Sequence, residues 1–184
     1  MRIVGGVWAD ERLISPGRRV RPTQEDVRDA WLTLLAPHLA GARVVDLFAG
    51  SGALGLEALS RGAASADFVE NGGEALHALK ANVAKRKLRP PARGQRPTEA
   101  RKAARIFKRD AIPYVARLDA GAYDIAFADP PYGSRKLDRI IERWQHTPFA
   151  PILGVEHALD HAVPEGVRRL RFEETVVTLY RAAP

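Results

Sequence analysis

Asp46-Leu47-Phe48-Ala49-Gly50-Ser51-Gly52-Ala53-Leu54-Gly55 is the stretch on which the reading of this chain turns. Arg43 to Phe48 reads as a buried strand: after Arg43, Val44 to Phe48 is apolar apart from one acid, Asp46, the pattern of a strand buried on both faces. Gly50 and Gly52 then let the backbone turn sharply, and Ala53 to Ser60 reads as an apolar helix. Strand, glycine turn and helix in succession form the opening of an α/β unit. In such sheets ligands collect at the carboxyl ends of the strands.

The same alternation continues downstream. Strands are predicted over Ala66–Glu70, Ala104–Asp110, Tyr123–Asp129 and Ile152–Glu156, with helices over Glu74–Lys87, Pro113–Leu118 and Leu137–Trp144 between them. Two further strands, around Leu170–Glu173 and Val176–Tyr180, are joined too tightly for a crossover and must pair antiparallel. Upstream, Thr23 stands as an N-cap with Asp26 in capping-box register. The helix it starts carries Val27, Ala30, Trp31, Leu34 and Leu35 on one face and is predicted to end before Pro37. The expectation is one α/β domain over residues 1–184, a mostly parallel seven-stranded sheet with an antiparallel terminal strand. Residues 1–40 form an N-terminal extension and helix, and residues 86–105 a loop insert with a possible short helix around Thr98–Arg105.

Gly50-Ser51-Gly52-Ala53-Leu54-Gly55 formally fits a dinucleotide fingerprint, so two nucleotide ligands compete at this turn. Asp46 argues against a pyrophosphate, which a carboxylate at the strand end would repel. S-adenosylmethionine carries an ammonium and a sulfonium and no phosphate. Glu70 ends the second strand and is placed for ribose hydroxyls under either reading. Asp110 ends the third and could accept from an adenine amine.

Asp129-Pro130-Pro131-Tyr132 decides between the two. Two prolines stop the strand and leave a rigid corner. Asp129 and the Pro130 carbonyl can each accept a hydrogen bond from one NH2 group, turning its lone pair toward an electrophilic methyl. Tyr132 offers a face for stacking a base drawn out of a helix. That corner has no part in hydride transfer, which removes a nicotinamide oxidoreductase. It needs neither a metal nor a covalent nucleophile.

These two motifs, extended through Leu56-Glu57-Ala58, together with Met1-Arg2-Ile3-Val4-Gly5-Gly6, Arg21-Pro22-Thr23 and Val27-Arg28, closely resemble the bacterial 16S rRNA guanine-N2 methyltransferases of the RsmD family. The resemblance implies the class I S-adenosylmethionine-dependent methyltransferase fold and N2 methylation of one guanine in 16S rRNA or the 30S particle, by a monomer. It implies Asp129, Pro130, Pro131 and Tyr132 as catalytic residues. Cofactor contacts would come from Asp46, Phe48, Ala49, Gly50, Gly52, Glu70, Asn71, Asp110 and Ala111. RNA contacts would come from Arg2, Trp8, Arg19, Arg21 and Thr23. A catalytically silent RNA-binding assembly factor, or an amino-methyltransferase for another nucleic acid, are the alternatives. The chain departs from the family pattern at Trp8-Ala9-Asp10-Glu11, at Gln24-Glu25-Asp26 and at Asn71-Gly72-Gly73.

Charge is unevenly spread. Of 29 Lys and Arg residues, 11 fall between Lys85 and Arg109 with a single acid, Glu99, whereas the rest of the chain has 18 basic and 21 acidic residues. A basic segment beside a near-neutral body fits a polyanion-binding surface. There is no Cys, and Met1 to Gly6 has no apolar region of leader length, so a cytoplasmic protein is expected. His157 and His161 have metal half-site spacing but no convincing third ligand, and are not expected to bind metal. Trp31 and Trp144 are read as packing residues.

Overall fold

The computed structural model describes residues 1–17, 24–90 and 102–183. After a 3-10 turn at Gly6–Trp8, the elements are α1 (Glu25–Leu39), β1 (Arg43–Leu47), α2 (Ala53–Ser60), β2 (Ser65–Glu70), α3 (Gly73–Lys85), β3 (Ala103–Lys108), α4 (Ala111–Val115), β4 (Ile125–Ala128), α5 (Lys136–His146), β5 (Ile152–Ala158), β6 (Arg168–Arg171) and β7 (Thr175–Arg181). The seven strands form one sheet in the order β3-β2-β1-β4-β5-β7-β6. Pairings from β3 through to β5 are parallel, and β7 runs antiparallel to both β5 and β6. This is the Rossmann-like sheet with its last strand reversed. The chain order reverses between β1 and β4, where Leu47 pairs with Ala128. The glycine turn and the Asp129 corner therefore leave the sheet side by side, at the point where such folds bind ligands.

Strand alternation sends successive side chains to opposite faces. Val44 and Phe127 join the core beneath α1, α2 and α3, which contains Trp31, Leu54 and Leu79. Val45, Leu47, Ala126 and Ala128 face the second core beneath α4 and α5, with Val115, Ile140 and Trp144. Trp31 meets Phe127 edge-on at 5.5 Å between ring centroids, which fixes α1 against the sheet centre.

All eight residues of α2 are buried, including Glu57 and Ser60. A helix buried all round needs cover on its outer side. The first nine residues supply it. Glu57 accepts from the Val4 and Gly5 amides at 3.0 and 2.8 Å, and Ser60 Oγ accepts from Trp8 N at 2.9 Å while donating to the Gly5 carbonyl at 2.6 Å. The arm backbone thereby satisfies Ser60 and, together with the Arg61 guanidinium at 2.9 Å, the Glu57 carboxylate.

Three expectations change. Helix α1 does not stop at Pro37 but runs to Leu39. Leu35 and Leu39 are buried in the core, and that burial offsets the hydrogen bond the proline cannot donate. It begins at Glu25 after Gln24, and the Gln24 side chain makes no capping bond; Thr23 lies outside the described residues. The strand predicted over Ala104–Asp110 is β3, which starts one residue earlier, with Ala103–Arg105 paired to Ser65–Asp67, and ends at Lys108; residues 98–101 of the short helix lie outside the described residues.

Candidate active site

One cavity of about 710 Å³ opens at the carboxyl ends of β1, β2, β4 and β5. Its wall includes Asp46, Phe48, Ala49, Gly50, Glu70 and Asn71 on one side and Asp129, Pro130, Pro131 and Tyr132 on the other. The two motifs thus share one space. The N-terminal arm contributes Met1, and Pro16, Gln24, Lys136, Glu156 and Thr175 are also in the wall.

The glycine corner is held by its own acids. Asp46 is buried, and its Oδ2 accepts from Gly55 N at 2.9 Å in the first turn of α2. Burial pushes its carboxyl up to about 7; the Gly55 amide opposes this and the nearby Glu70 charge adds to it. Glu70 accepts from the Gly50 amide at 2.8 Å with one oxygen and from Asn71 and Gly72 at 2.8 and 2.6 Å with the other. A dinucleotide site needs the glycine-turn amides for pyrophosphate; here the Gly50 amide is committed to a carboxylate. Gly50 has φ 56° with nothing within 4 Å of where a Cβ would stand, so its backbone lies open to a ligand. Gly52, at φ 83°, is packed instead, with a Cβ position only 2.5 Å from Leu79 Cδ1. Phe48 also takes a positive φ, 63°, which is a strained setting for an aromatic residue and one found at ligand sites.

Asp110 and Ala111 do not line the cavity. Asp110 caps α4 through Ile112 N at 2.9 Å and pairs with Lys136 Nζ at 2.7 Å. The Lys136 hydrogen bond holds its carboxyl below the ordinary range, burial acting against it. Lys136, which does line the cavity, also stands over the Phe48 ring at 5.7 Å.

At the proline corner, Pro130 is buried while Pro131 and Tyr132 are exposed. Ser134 Oγ donates to the Pro131 carbonyl at 2.9 Å and fixes the turn. The Tyr132 hydroxyl donates to Glu156 Oε1 at 3.3 Å, leaving the ring 42% exposed. Glu156 escaped the sequence reading as a site residue. Its signal was a lone acid in the otherwise apolar Ile152–Val155 run. Lys136 and Thr175 carried no comparable mark.

Of the residues expected at RNA, Arg2 bonds Glu25 at 3.0 Å and Asp10 at 2.7 Å, and Trp8 lies under the cations of Arg86 and Lys102 at 5.5 and 5.3 Å; neither Arg2 nor Trp8 lines the cavity. Arg19, Arg21 and Thr23 lie outside the described residues. Two arginines of the basic segment serve structure: Arg86 pairs with Glu11 at 3.0 Å and Arg105 Nε donates to Asp67 at 2.7 Å. His157 bonds Thr178 and His161 bonds Asp138. Among the described residues no group of three or more His, Cys, Asp or Glu is placed to hold a metal, and no helix is long and apolar enough to cross a membrane.

Sheet order, reversed last strand and a cavity at the switch point are those of the Rossmann-like methyltransferase fold. The chain belongs to the family described as Conserved hypothetical protein 95, whose model matches residues 1–171; this is the RsmD family. It is 37% identical to the Ribosomal RNA small subunit methyltransferase D of Escherichia coli over 77% of this chain and 65% of that relative. YlbH of Bacillus subtilis is 30% identical over 98% of each chain. Among solved structures, yhhF of Escherichia coli superposes with a TM-score of 0.78 at 31% identity, covering 98% of this chain and 97% of that one.

Proposed function

We propose that the chain methylates the exocyclic N2 of a guanine in small-subunit rRNA, with S-adenosylmethionine as donor. The observation that carries this reading is the single cavity joining the glycine turn to Asp129-Pro130-Pro131-Tyr132. The relative named for small-subunit rRNA methylation supports the substrate class.

The residues present fit the donor. Gly50 offers open backbone, Glu70 and Asp46 supply acceptors, and the Gly50 amide is not free for a phosphate. Glu70 would take the ribose hydroxyls, and Asp46, Ala49 and Gly50 would face the cationic end. When bound, the donor supplies an electrophilic methyl on a sulfonium. Asp129 and the Pro130 carbonyl accept from the two N–H bonds of the guanine amine and direct its lone pair into the cavity. Asp129 would offset the positive charge that grows on the amine nitrogen as it takes the methyl from the sulfonium, and would pass the surplus amine proton to water. Tyr132 stacks on the base and holds it out of the RNA helix.

The test is transfer of labelled methyl from S-adenosylmethionine to unmodified 30S particles and to naked 16S rRNA, with the product mapped by mass. N2-methylguanosine at one position is expected. Transfer to DNA adenine alone would overturn the substrate, and absence of donor binding by calorimetry would favour a silent assembly factor.

A further inference from the structure

Asp-Pro-Pro-Tyr can present acceptors to any exocyclic amine, so it does not explain why one base is chosen over another. The residue beside it does. On β5, Val155 pairs with Ala128 of β4, and one step further along both strands brings Glu156 next to Asp129. Neighbouring strands lie roughly 4.8 Å apart. Both residues line the cavity. Glu156 is 5% exposed, and its Oε1 accepts from the hydroxyl of Tyr132, the ring read as stacking the base.

A carboxylate in a central strand is costly unless it is paired or used. The buried Arg28 guanidinium of α1 is close enough for Glu156 to act on it as an opposing charge, after Glu57 and Glu25. In front lies the cavity, at the level of Asp129.

The Watson–Crick edge of guanine carries two donors side by side, N1–H and the N2 amine. Adenine places an acceptor, N1, beside its N6 amine. Two carboxylates on adjacent strand ends complement the first pattern, and the second would set a lone pair against an anion. We infer that Glu156 accepts the N1–H of the target base and so makes the cavity selective for guanine over adenine while Asp129 holds the amine. This rests on the reading that guanine N2 is the methylated atom. It makes Glu156 a specificity-determining residue of the same site.

The experiment uses the full chain and reconstituted 30S particles. After the modified guanine has been mapped, 16S rRNA is rebuilt by ligation with 2-aminopurine at that position, which keeps the 2-amine but presents N1 as an acceptor. Wild type should favour guanine by about 10- to 100-fold in kcat/KM, the range for one buried hydrogen bond replaced by an unpaired acceptor. In Glu156→Gln the amide can donate to the bare N1, so the ratio should fall about tenfold or more. A ratio near one in the wild type, or an unchanged ratio in Glu156→Gln, overturns the role of Glu156 and leaves guanine methylation standing. Absence of transfer to either particle overturns both. Should Glu156→Gln fail to fold, Glu156→Asp serves in its place: its carboxylate is one methylene further from the base, the ratio should again fall, and an unchanged ratio overturns the assignment.

Discussion

The glycine corner after β1 and the proline corner after β4 face one another across a single cavity, but they use their polar groups in different ways. At the glycine corner the acids are engaged by backbone: Asp46 holds Gly55, and Glu70 holds Gly50, Asn71 and Gly72. At the proline corner the stiff element is the backbone itself, and an exposed aromatic ring lies beside two carboxylates at the ends of adjacent strands. The first arrangement suits a small ligand received in a preformed cradle. The second suits a base that arrives from outside and leaves after each turnover. Binding energy is spent on shape in one corner and on charge development in the other.

The largest effect expected from breaking this contrast lies at Asp46. Its carboxyl sits near 7 in the fold, against 3.8 for the free side chain, because burial penalises the charge. The folded protein therefore binds the proton more tightly than the unfolded chain. The stabilisation is fully present below pH ~4 and is lost as pH rises through about 7. Asp46→Asn does not titrate. Relative to that variant, the wild type should lose about 4 kcal/mol of unfolding free energy between pH 4 and pH 8. Urea denaturation at both pH values measures it, and a constant difference would mean that Asp46 is ionised in the fold.

Next comes the proline corner. Asp129→Ala should lower turnover by roughly 10²- to 10³-fold, the scale seen when a preorganised group facing developing charge is removed. Donor affinity by calorimetry should hardly change, because the donor is assigned to the other corner. A parallel loss of both would mean that the two corners are not separable.

Gly50 and Gly52 divide the glycine corner itself. Gly52→Ala combines left-handed strain with a Cβ set 2.5 Å from Leu79 Cδ1 and 3.3 Å from Phe68 Cε1, so a loss of about 3 kcal/mol is expected. Gly50→Ala carries the strain alone, at about 1 kcal/mol, since nothing stands within 4 Å. In melting temperature this is roughly 10 °C against about 3 °C. Donor affinity should show the reverse order among folded molecules, because only Gly50 lines the cavity.

How much of this could be read in the sequence follows from where each residue gets its role. The sheet was legible because runs such as Arg43–Phe48 and Tyr123–Asp129 carry burial and chain direction together, and the two corners because each ends such a run. Pro37 misled because the penalty is local while the offset, the burial of Leu39, is tertiary. Asp110 stood in sequence register with Asp46 and Glu70, but its carboxylate caps α4 and pairs with Lys136, 26 residues on, and it is Lys136 that lines the cavity. Glu57 was visible only as part of a motif; its bonds to the Val4 and Gly5 amides span more than 50 residues. Glu156 needed the β4–β5 register, which no local pattern supplies.

The smallest expected effect separates the two halves of Tyr132. Its ring is 42% exposed and its hydroxyl reaches Glu156 at 3.3 Å, a long hydrogen bond. If the ring is what the corner offers a base, Tyr132→Ala should raise KM for the RNA roughly 10- to 100-fold, since stacking on an aromatic ring contributes about 1–3 kcal/mol per base. Tyr132→Phe keeps the ring and loses only the long bond, so KM should rise by less than about threefold. Steady-state methyl transfer to 30S particles measures both. Equal damage in the two variants would shift the function of Tyr132 from its face to its hydroxyl. The proline corner would then hold its carboxylates by hydrogen bonding, as the glycine corner does, and the contrast between them would be lost.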